Sequence, residues 1–174
     1  VNMHVLEAAF ERAGSVRQYG KDPLERLQAF DLLGPDFMAV HMVQLNEHDI
    51  ERLAGTGAHV IHCPESNMKL GNGVCPTSSL IEAGVNVALG TDGAASNNDL
   101  DLLSECRTAA FLAKGSTGRA DALDAWQSLE MMTMAGARAL GQEERLGSIE
   151  VGKSADLCAV NVDCPEMQPL HNAV

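Results

Sequence analysis

The sequence predicts an α/β fold in which short parallel strands alternate with amphipathic helices. Three observations predict it. Four short apolar runs alternate with helical patterns, Gly or Pro residues separate them, and each run leads to a side chain that can bind metal or move protons. Burying such a side chain at a strand end is costly unless it has a role of this kind. Because (β/α)₈ barrels carry their active sites at the carboxyl ends of their strands, we expect a catalytic half-barrel.

Each of the four predicted strands leads to a candidate site residue. The strands cover residues 1–6, 37–40, 58–61 and 85–89. Since the carboxyl ends of parallel barrel strands meet at one rim, we expect the polar side chains at these ends to lie near one another. Those side chains are His4 with Glu7, His41, His62 and Asp92.

The helices between the strands are predicted from apolar spacing and capping residues. Asp22 and Asn46 are suitable N-caps, and Pro76 opens a further helix. We expect residues 65–73 to form a loop, because Ser, Asn and Gly dominate that segment. We expect Asp99 to cap one of the two long helices at the end of the series. The predicted helices are 7–19, 22–33, 46–54, 76–83, 99–114 and 124–140.

Composition bounds the class of protein. The 174 residues are 45% hydrophobic, enough for a domain with a substantial core. The formal charge of −12 repels phosphate backbones and anionic lipids, so we expect neither nucleic acid nor membrane as a partner. The five cysteines are odd in number and show no CxxC spacing, which favours reduced thiols in the cytoplasm over a disulfide framework. We expect neither secretion nor a membrane span, because the sequence shows neither a charged segment followed by an apolar one nor an apolar stretch near 20 residues.

The pattern changes after Gly141. A Gly-bounded turn precedes an alternating apolar run at residues 157–162, which predicts one strand of a separate small β-domain. We therefore divide the chain into a barrel part, 1–141, and part of a composite β-sandwich domain, 142–174. The sequence opens with what looks like the middle of a strand, so we expect it to be a piece of a longer protein.

Asp92 is the strongest candidate for chemistry. Three small residues follow it (93–95) and leave space above the carboxylate. A carboxyl group with an ordinary pKa near 3.9 is ionised at neutral pH. It can bind a metal, take a proton from water that the metal activates, and return that proton to a leaving amine.

The remaining candidates each have an ordinary structural alternative. His4 and Glu7 could supply a zinc ligand and a proton carrier, but a backbone-bonded histidine and a helix-capping acid fit the pattern better when taken alone. His41 could orient water, or could equally be a surface histidine. Asn67 could contact a substrate through its amide, although Asn is also a common turn residue. We assign no role to His48, His59 and His171, and we interpret Met131, Met132 and Met134 as core residues.

Four motifs, in order, resemble the amidohydrolase superfamily. They lie at residues 3–7 (MHVLE), 39–42 (AVHM), 62–73 (HCPESNMKLGNG) and 88–98 (ALGTDGAASNN). More closely, they resemble the 5-methylthioadenosine/S-adenosylhomocysteine deaminases and their chlorohydrolase relatives. The resemblance implies the C-terminal half, strands 5–8, of a metal-dependent hydrolase (β/α)₈ TIM barrel, followed by the start of a small β-sandwich segment. It also implies one divalent metal, usually Zn²⁺, with Fe²⁺ or Mn²⁺ as alternatives.

The resemblance further implies a role for each candidate. His4 matches the fifth-strand metal ligand and Asp92 the eighth-strand ligand. Glu7 matches the carboxylate that binds the substrate ring nitrogen and carries a proton to it, and His41 matches the histidine near the attacking water. The implied reaction is hydrolytic deamination of an adenosine-type nucleoside at C6, which gives the inosyl product and ammonia.

The chain departs from the family in one large respect. It has no HxH pair, which in the family supplies two further metal ligands. We therefore expect activity, and a homo-oligomer, from the full-length protein, while this piece alone neither binds zinc tightly nor turns over substrate. The alternatives are a guanine or s-triazine type hydrolase, a non-catalytic barrel relative that serves binding or assembly, and a natural 174-residue product that pairs with a second chain.

Overall fold

A parallel four-stranded sheet forms the centre of the protein. The computed structural model describes residues 1–169. The strands lie side by side in chain order, and each pairs in parallel with the next. Helices connect them, so the prediction of successive parallel βα units is confirmed. The strands are β1 (Asn2–Val5), β2 (Met38–His41), β3 (His59–His62) and β4 (Val87–Leu89).

Several of the helices begin after a residue whose side chain satisfies a free backbone N–H group in the first turn. Asp22, Asn46 and Asp124 each accept a hydrogen bond from the third residue of the helix that follows. The helices are α1 (Ala9–Tyr19), α2 (Pro23–Ala29), α3 (Glu47–Ala54), α4 (Pro64–Leu70), α5 (Thr77–Glu82), α6 (Leu102–Thr117), α7 (Ala125–Met132) and α8 (Met134–Ala139), with a 3₁₀ turn at Pro165–Met167.

One face of the sheet packs against the helices. Val5, Ala39, Val60 and Val87 belong to a buried apolar core that also contains helix residues such as Leu80. Side chains alternate between the two faces of a strand, so the residues between these core positions face the other way. This second face carries His4, Val40, Ile61 and Ala88.

The strand register brings the carboxyl ends of the strands to one level. Val5 pairs with His41, and His62 pairs with Leu89. His41 is the last residue of β2 and has a φ of +76°, a value that non-glycine residues adopt rarely and at a cost. The chain leaves β2 sharply there, and the imidazole is fully buried at the rim.

The predicted loop at 65–73 is wrong over residues 65–70, six of its nine residues. Residues Pro64–Leu70 form α4, with proline in the first turn and Gly71 in the left-handed conformation at the C-cap. Ser66 and Asn67 are fully buried in this helix. Their polar composition suggested a turn because local propensity ignores tertiary hydrogen bonds, which here hold both side chains.

The two long helices differ from their predicted bounds. Asp101 caps α6 in place of Asp99, and the side chain of Asp101 accepts from the backbone N–H of Leu103. The segment 124–140 forms two helices, because Thr133 leaves the helical region with φ −127° and ψ −92°. The Thr133 hydroxyl donates to the carbonyl of Leu129 at 2.6 Å.

The end of the described chain is extended and exposed. The predicted strand at 157–162 does not form within residues 1–169, since an alternating apolar pattern gives a strand only where another backbone pairs with it. His59, to which we assigned no role, lies within the predicted strand 58–61 and is the first residue of β3. His171 lies outside the described residues.

No helix in residues 1–169 has the length and apolar character needed to cross a bilayer.

Candidate active site

Three potential metal ligands from β1 and β2 meet at the rim. One ligand atom from each of His4, Glu7 and His41 lies within 4.8 Å of the other two. Nε2 of His41 is 3.1 Å from Nδ1 of His4 and 3.6 Å from Oε2 of Glu7. The two imidazole rings meet edge to face, with centroids 4.6 Å apart. The structure thus brings together three side chains that the sequence singled out separately.

The spacing of these atoms suits a divalent cation. Two atoms that bind zinc at about 2.05 Å in a tetrahedron lie about 3.3 Å from each other. The distances of 3.1 Å and 3.6 Å from His41 to His4 and Glu7 lie on either side of that value. Imidazole nitrogen and carboxylate oxygen are also donor types that zinc accepts. The residues present therefore fit a divalent metal.

A buried side-chain amide on α4 determines which ring nitrogen of His41 carries the proton. Oδ1 of Asn67 lies 2.9 Å from Nδ1 of His41, and both residues are fully buried. Because a carboxamide oxygen only accepts hydrogen bonds, Nδ1 of His41 carries the proton and donates it. The lone pair of Nε2 consequently faces His4 and Glu7. Asn67, which we expected to contact a substrate, contacts His41 in this structure.

The carboxylate that accepts hydrogen bonds from the backbone at the start of α1 belongs to Glu11 and not to Glu7. The carboxylate of Glu11 satisfies the start of α1 by accepting from the backbone N–H groups of Leu6 and Ala8, both at 2.8 Å. Glu7 is instead oriented by Asn72, whose side-chain amide donates to Oε1 of Glu7 at 2.7 Å. The Glu7 side chain remains 22% exposed, so it can reach a small molecule at the rim.

Asp92 follows β4, which lies at the opposite edge of the sheet from β1. Its carboxylate faces two hydroxyl groups. The hydroxyls of Ser66 and Ser96 donate to Oδ2 of Asp92 at 2.7 Å and 2.6 Å. Partial burial raises the pKa of Asp92, but the hydrogen bonds from Ser96, Ser66 and the Gly93 backbone, together with the charge of His41, outweigh it and lower the pKa. The carboxylate is therefore ionised at neutral pH. Asp92 has a φ of +59° and is not among the three ligands within 4.8 Å of one another.

His62 is neutral. Burial and, to a smaller extent, the nearby His41 lower the pKa of His62 to about 3. Both ring nitrogens are buried without a hydrogen-bond partner in residues 1–169. The register places His62 at the carboxyl end of β3, between the ends of β2 and β4.

Several residues of this rim were not found from the sequence. Asn72, Ser66 and Ser96 lie in segments where Ser and Asn are common, so composition hid them. Glu105 left a readable signal, because it falls on the apolar stripe of α6 with Cys106 and is fully buried. An acid on such a stripe needs hydrogen-bond partners, and α6 was treated only as a packing helix.

Comparison with known proteins assigns the family. The model of the amidohydrolase family matches residues 1–172. The chain belongs to the amidohydrolase family. The resemblance drawn from the four motifs is thereby confirmed, including its closer part, since curated relatives carry the names of nucleoside deaminases.

Two curated relatives show how much of the amidohydrolase chain is present. A 5-methylthioadenosine/S-adenosylhomocysteine deaminase from Teredinibacter turnerae is 49% identical over all 174 residues, which cover 39% of its length. A 5'-deoxyadenosine deaminase from Methanosarcina acetivorans is 47% identical over 97% of this chain and is also covered to 39%. The chain thus spans about two fifths of the length of these relatives.

Two solved structures match the fold closely. A zinc-bound adenosine deaminase from Xanthomonas campestris superposes with a TM-score of 0.95 and 54% identity, over 99% of this chain and 39% of that one. An atrazine chlorohydrolase from Arthrobacter aurescens complexed with zinc superposes with a TM-score of 0.92 and 26% identity, over 98% of this chain and 38% of that one. The expected divalent metal is supported by both.

Proposed function

We propose that the intact protein is a metal-dependent hydrolytic deaminase of an adenosine-type nucleoside. Its substrates would be 5-methylthioadenosine or S-adenosylhomocysteine, and its products the inosyl analogue and ammonia. The observation that carries the proposal is the convergence of His4, Glu7 and His41 at one rim. The names of the two relatives at 49% and 47% identity support the choice of substrate class.

We propose that the four strands are strands five to eight of a (β/α)₈ barrel and that residues 142–174 begin a β-sandwich segment. The order of the four motifs supports this assignment. The rest of the barrel would supply further metal ligands, because the HxH pair that provides two of them in the family is not found in this sequence. A crystal structure of the intact protein tests the assignment directly.

By the family resemblance, His4 and Asp92 would hold the metal, and His41 and Glu7 would lie beside it. Asp92 is outside the cluster of His4, Glu7 and His41, so its role as a ligand rests on the resemblance and not on that cluster. Zinc is the first candidate, because zinc is bound in both solved relatives. A divalent cation supplies Lewis acidity, which makes water a usable nucleophile near neutral pH. Metal analysis of the intact protein, and the loss of activity on chelation with recovery on adding zinc, tests this part.

Glu7 would bind the substrate ring. Its carboxylate is oriented by Asn72 and stands 3.6 Å from Nε2 of His41, so a proton can pass between Glu7 and a group held by His41. In the proposed reaction Glu7 carries this proton to a ring nitrogen next to C6 of the purine. This proton makes C6 more electrophilic, so that the oxygen of water can add there; the ring loses its aromaticity in that addition and regains it when the bond from C6 to the amino group breaks and ammonia leaves.

His41 would orient the attacking water, and Asp92 would complete the proton transfer. With Nδ1 donating to Asn67, Nε2 of His41 can only accept, which suits a water that must turn its lone pair toward carbon. Asp92 is ionised and can accept a proton and later donate it to the departing ammonia. Asn67 would act through His41 and not on the substrate.

A kinetic comparison on the intact protein tests the function. We expect ammonia release from 5-methylthioadenosine and S-adenosylhomocysteine at least about a hundredfold faster, in kcat/KM, than from guanine or a triazine. Asp92→Asn should reduce the rate by several orders of magnitude. The matched control is Asp99→Asn, an exposed acid in the same loop, which should have little effect. Equal rates in wild type and Asp92→Asn would contradict the proposal.

The second candidate is hydrolysis of another amino- or chloro-heterocycle. It is favoured by the fold match to the atrazine chlorohydrolase, although identity is only 26%. The substrate comparison decides between the two. A non-catalytic relative used for binding or assembly would show no turnover of any of these compounds. A small-molecule partner, a homo-oligomer and a cytoplasmic location belong to the same proposal, and gel filtration with cell fractionation tests the last two.

A further inference from the structure

Two carboxylates are held by neighbouring residues of the same two segments. Oδ2 of Asp92 accepts from the hydroxyls of Ser66 and Ser96. The residue before Ser66 is Glu65, whose backbone N–H donates to Oε2 of Glu105 at 3.0 Å. The residue after Ser96 is Asn97, whose side-chain amide donates to Oε1 of Glu105. The two segments at residues 65–66 and 96–97 therefore each donate one hydrogen bond to Asp92 and one to Glu105.

Glu105 is fully buried, which is costly for a carboxyl group unless it has a structural or functional role. It projects from α6, is 0% exposed, and lies among apolar positions of that helix. Both of its hydrogen-bond donors are neutral groups. Burying a carboxyl group costs free energy that an apolar residue at the same helix position would not cost. Packing of α6 is therefore a poor explanation for Glu105.

Asn97 links Glu105 to the loop that carries Asp92 through hydrogen bonds. It is 2% exposed, and its Oδ1 accepts from the backbone N–H of Leu100 at 3.0 Å while its amide nitrogen donates to Glu105. The backbone N–H of Asn97 donates to the carbonyl of Gly93, directly after Asp92, at 2.9 Å. The loop from β4 to α6 is thereby fixed on the Glu105 side chain.

We infer that Glu105 is a positioning residue for Asp92, because it holds in place both segments whose hydroxyls bind that carboxylate. Its kinetic consequence rests on the proposed function, whereas its structural consequence does not. Loss of Glu105 frees the start of α4 and the loop 91–101 at once. Ser66 and Ser96 then no longer meet at a single oxygen of Asp92.

A second link between the same two helices provides a matched control. Oε1 of Glu65 accepts from the hydroxyls of Ser104 and Thr108 on α6, both at 2.8 Å. Thr108→Val keeps the shape of the side chain and weakens the contact between α4 and α6. It leaves both donors of Glu105 in place, so it reports the effect of helix packing alone.

The test is hydrogen exchange measured by mass spectrometry on the metal-free intact protein. Glu105→Leu should raise the exchange rate of amides in residues 91–101 about tenfold, the factor expected for one net hydrogen bond. Glu105→Gln, whose amide nitrogen cannot accept, should give a smaller increase, as should Asn97→Ala. Thr108→Val should leave exchange in 91–101 unchanged.

Kinetics of the same variants separates positioning from a general loss of structure. We expect Glu105→Leu to lower kcat about tenfold with little change in KM, and Glu105→Gln to restore part of it. Unchanged exchange in 91–101, or the same change in Thr108→Val, overturns the inference. If Glu105→Leu does not fold, Glu105→Gln and Asn97→Ala decide by the same criteria. If the wild-type protein deaminates no nucleoside but Glu105→Leu still raises exchange in 91–101, the proposed function is overturned and this inference stands.

Discussion

Nδ1 of His41 donates a hydrogen bond to Oδ1 of Asn67 across 2.9 Å in the interior of the protein. This single contact joins β2 to α4 and decides which nitrogen of His41 faces the rim. The tautomer of an active-site histidine is often set in this way by the partner of its other nitrogen. The chemistry we propose for His41 depends on a residue that touches no substrate.

Asn67→Ala should lower the deaminase activity of the intact protein about tenfold to a hundredfold. The physical reason is that the buried Nδ1–H of His41 loses its acceptor and the ring is free to turn. We expect most of the loss in kcat. Asn98→Ala, which removes an exposed amide in the loop after β4, is the control and should retain activity. Nitrogen NMR of His41 should show the Nδ1–H tautomer in wild type only, and the same tautomer in Asn67→Ala would refute the argument.

The stability of the protein should depend on pH through Glu105. Burial is the main cause that raises the pKa of Glu105 to about 7; the acids Glu65 and Asp99 add to it, and the hydrogen bonds from the Glu65 N–H and from Asn97 oppose it. The folded protein thus binds a proton that the unfolded chain has released. Its contribution to stability is fully present below the ordinary pKa of 4.5 and is lost as pH rises to about 7.

The measurement is urea unfolding of wild type and Glu105→Gln between pH 4.5 and 8. The free energy of unfolding of wild type should fall relative to that of the variant by up to about 1.4 kcal/mol per pH unit, the slope for one proton. Above pH 7 the difference should become constant. A difference that does not change between pH 4.5 and 7 would show that Glu105 titrates normally in the fold.

Gly147 should tolerate no side chain. It has a φ of +91°, and a Cβ atom there would lie 2.8 Å from Sδ of Met134 and 2.9 Å from Cβ of Ala137 on α8. Gly147→Ala should therefore cost about 1 kcal/mol for backbone strain and a further 1–3 kcal/mol for overpacking. Gly152 has a φ of +98° with open space around it, so Gly152→Ala measures the strain alone. Equal thermal shifts in the two variants would contradict the predicted clash.

Cys75 should resist alkylation in the folded protein. It is 2% exposed, and burial raises the pKa of its thiol to about 12, against the hydrogen bond from Thr77. Since the thiolate is the reactive form, we expect iodoacetamide at pH 8 to modify Cys75 at least about a hundredfold more slowly than the exposed Cys158. Peptide mass spectrometry over time checks this, and similar rates at the two positions would indicate that the core around Cys75 opens readily.

The sequence pointed to candidate side chains at the rim but not to the residues that hold them. His4 lies in a predicted strand, and His41 and Asp92 follow predicted strands, so all three can be picked out from the strand pattern. Ser66, Asn72 and Asn97 are not readable in the same way, because Ser and Asn are ordinary loop residues. Only their contacts with Asp92, Glu7 and Glu105 reveal what they do.

Local patterns also failed where long-range contacts decide conformation. The segment that forms α4 looked like a loop, because its helix begins at Pro64 and its polar residues Ser66 and Asn67 are held by hydrogen bonds to distant parts of the chain. The segment 124–140 looked like one helix, and its break at Thr133 leaves no sign in the apolar spacing.

The sequence by itself determined the alternation of strands and helices, and the family through four ordered motifs. The tertiary structure decided which polar groups meet, that His4, Glu7 and His41 share one cluster, and that Glu105 lies beneath Asp92. The physical reason is that apolar periodicity is a local property of the chain, which burial enforces within each element. The pairing of polar groups depends instead on register and on helix placement, which join residues as distant in sequence as Glu7 and Asn72.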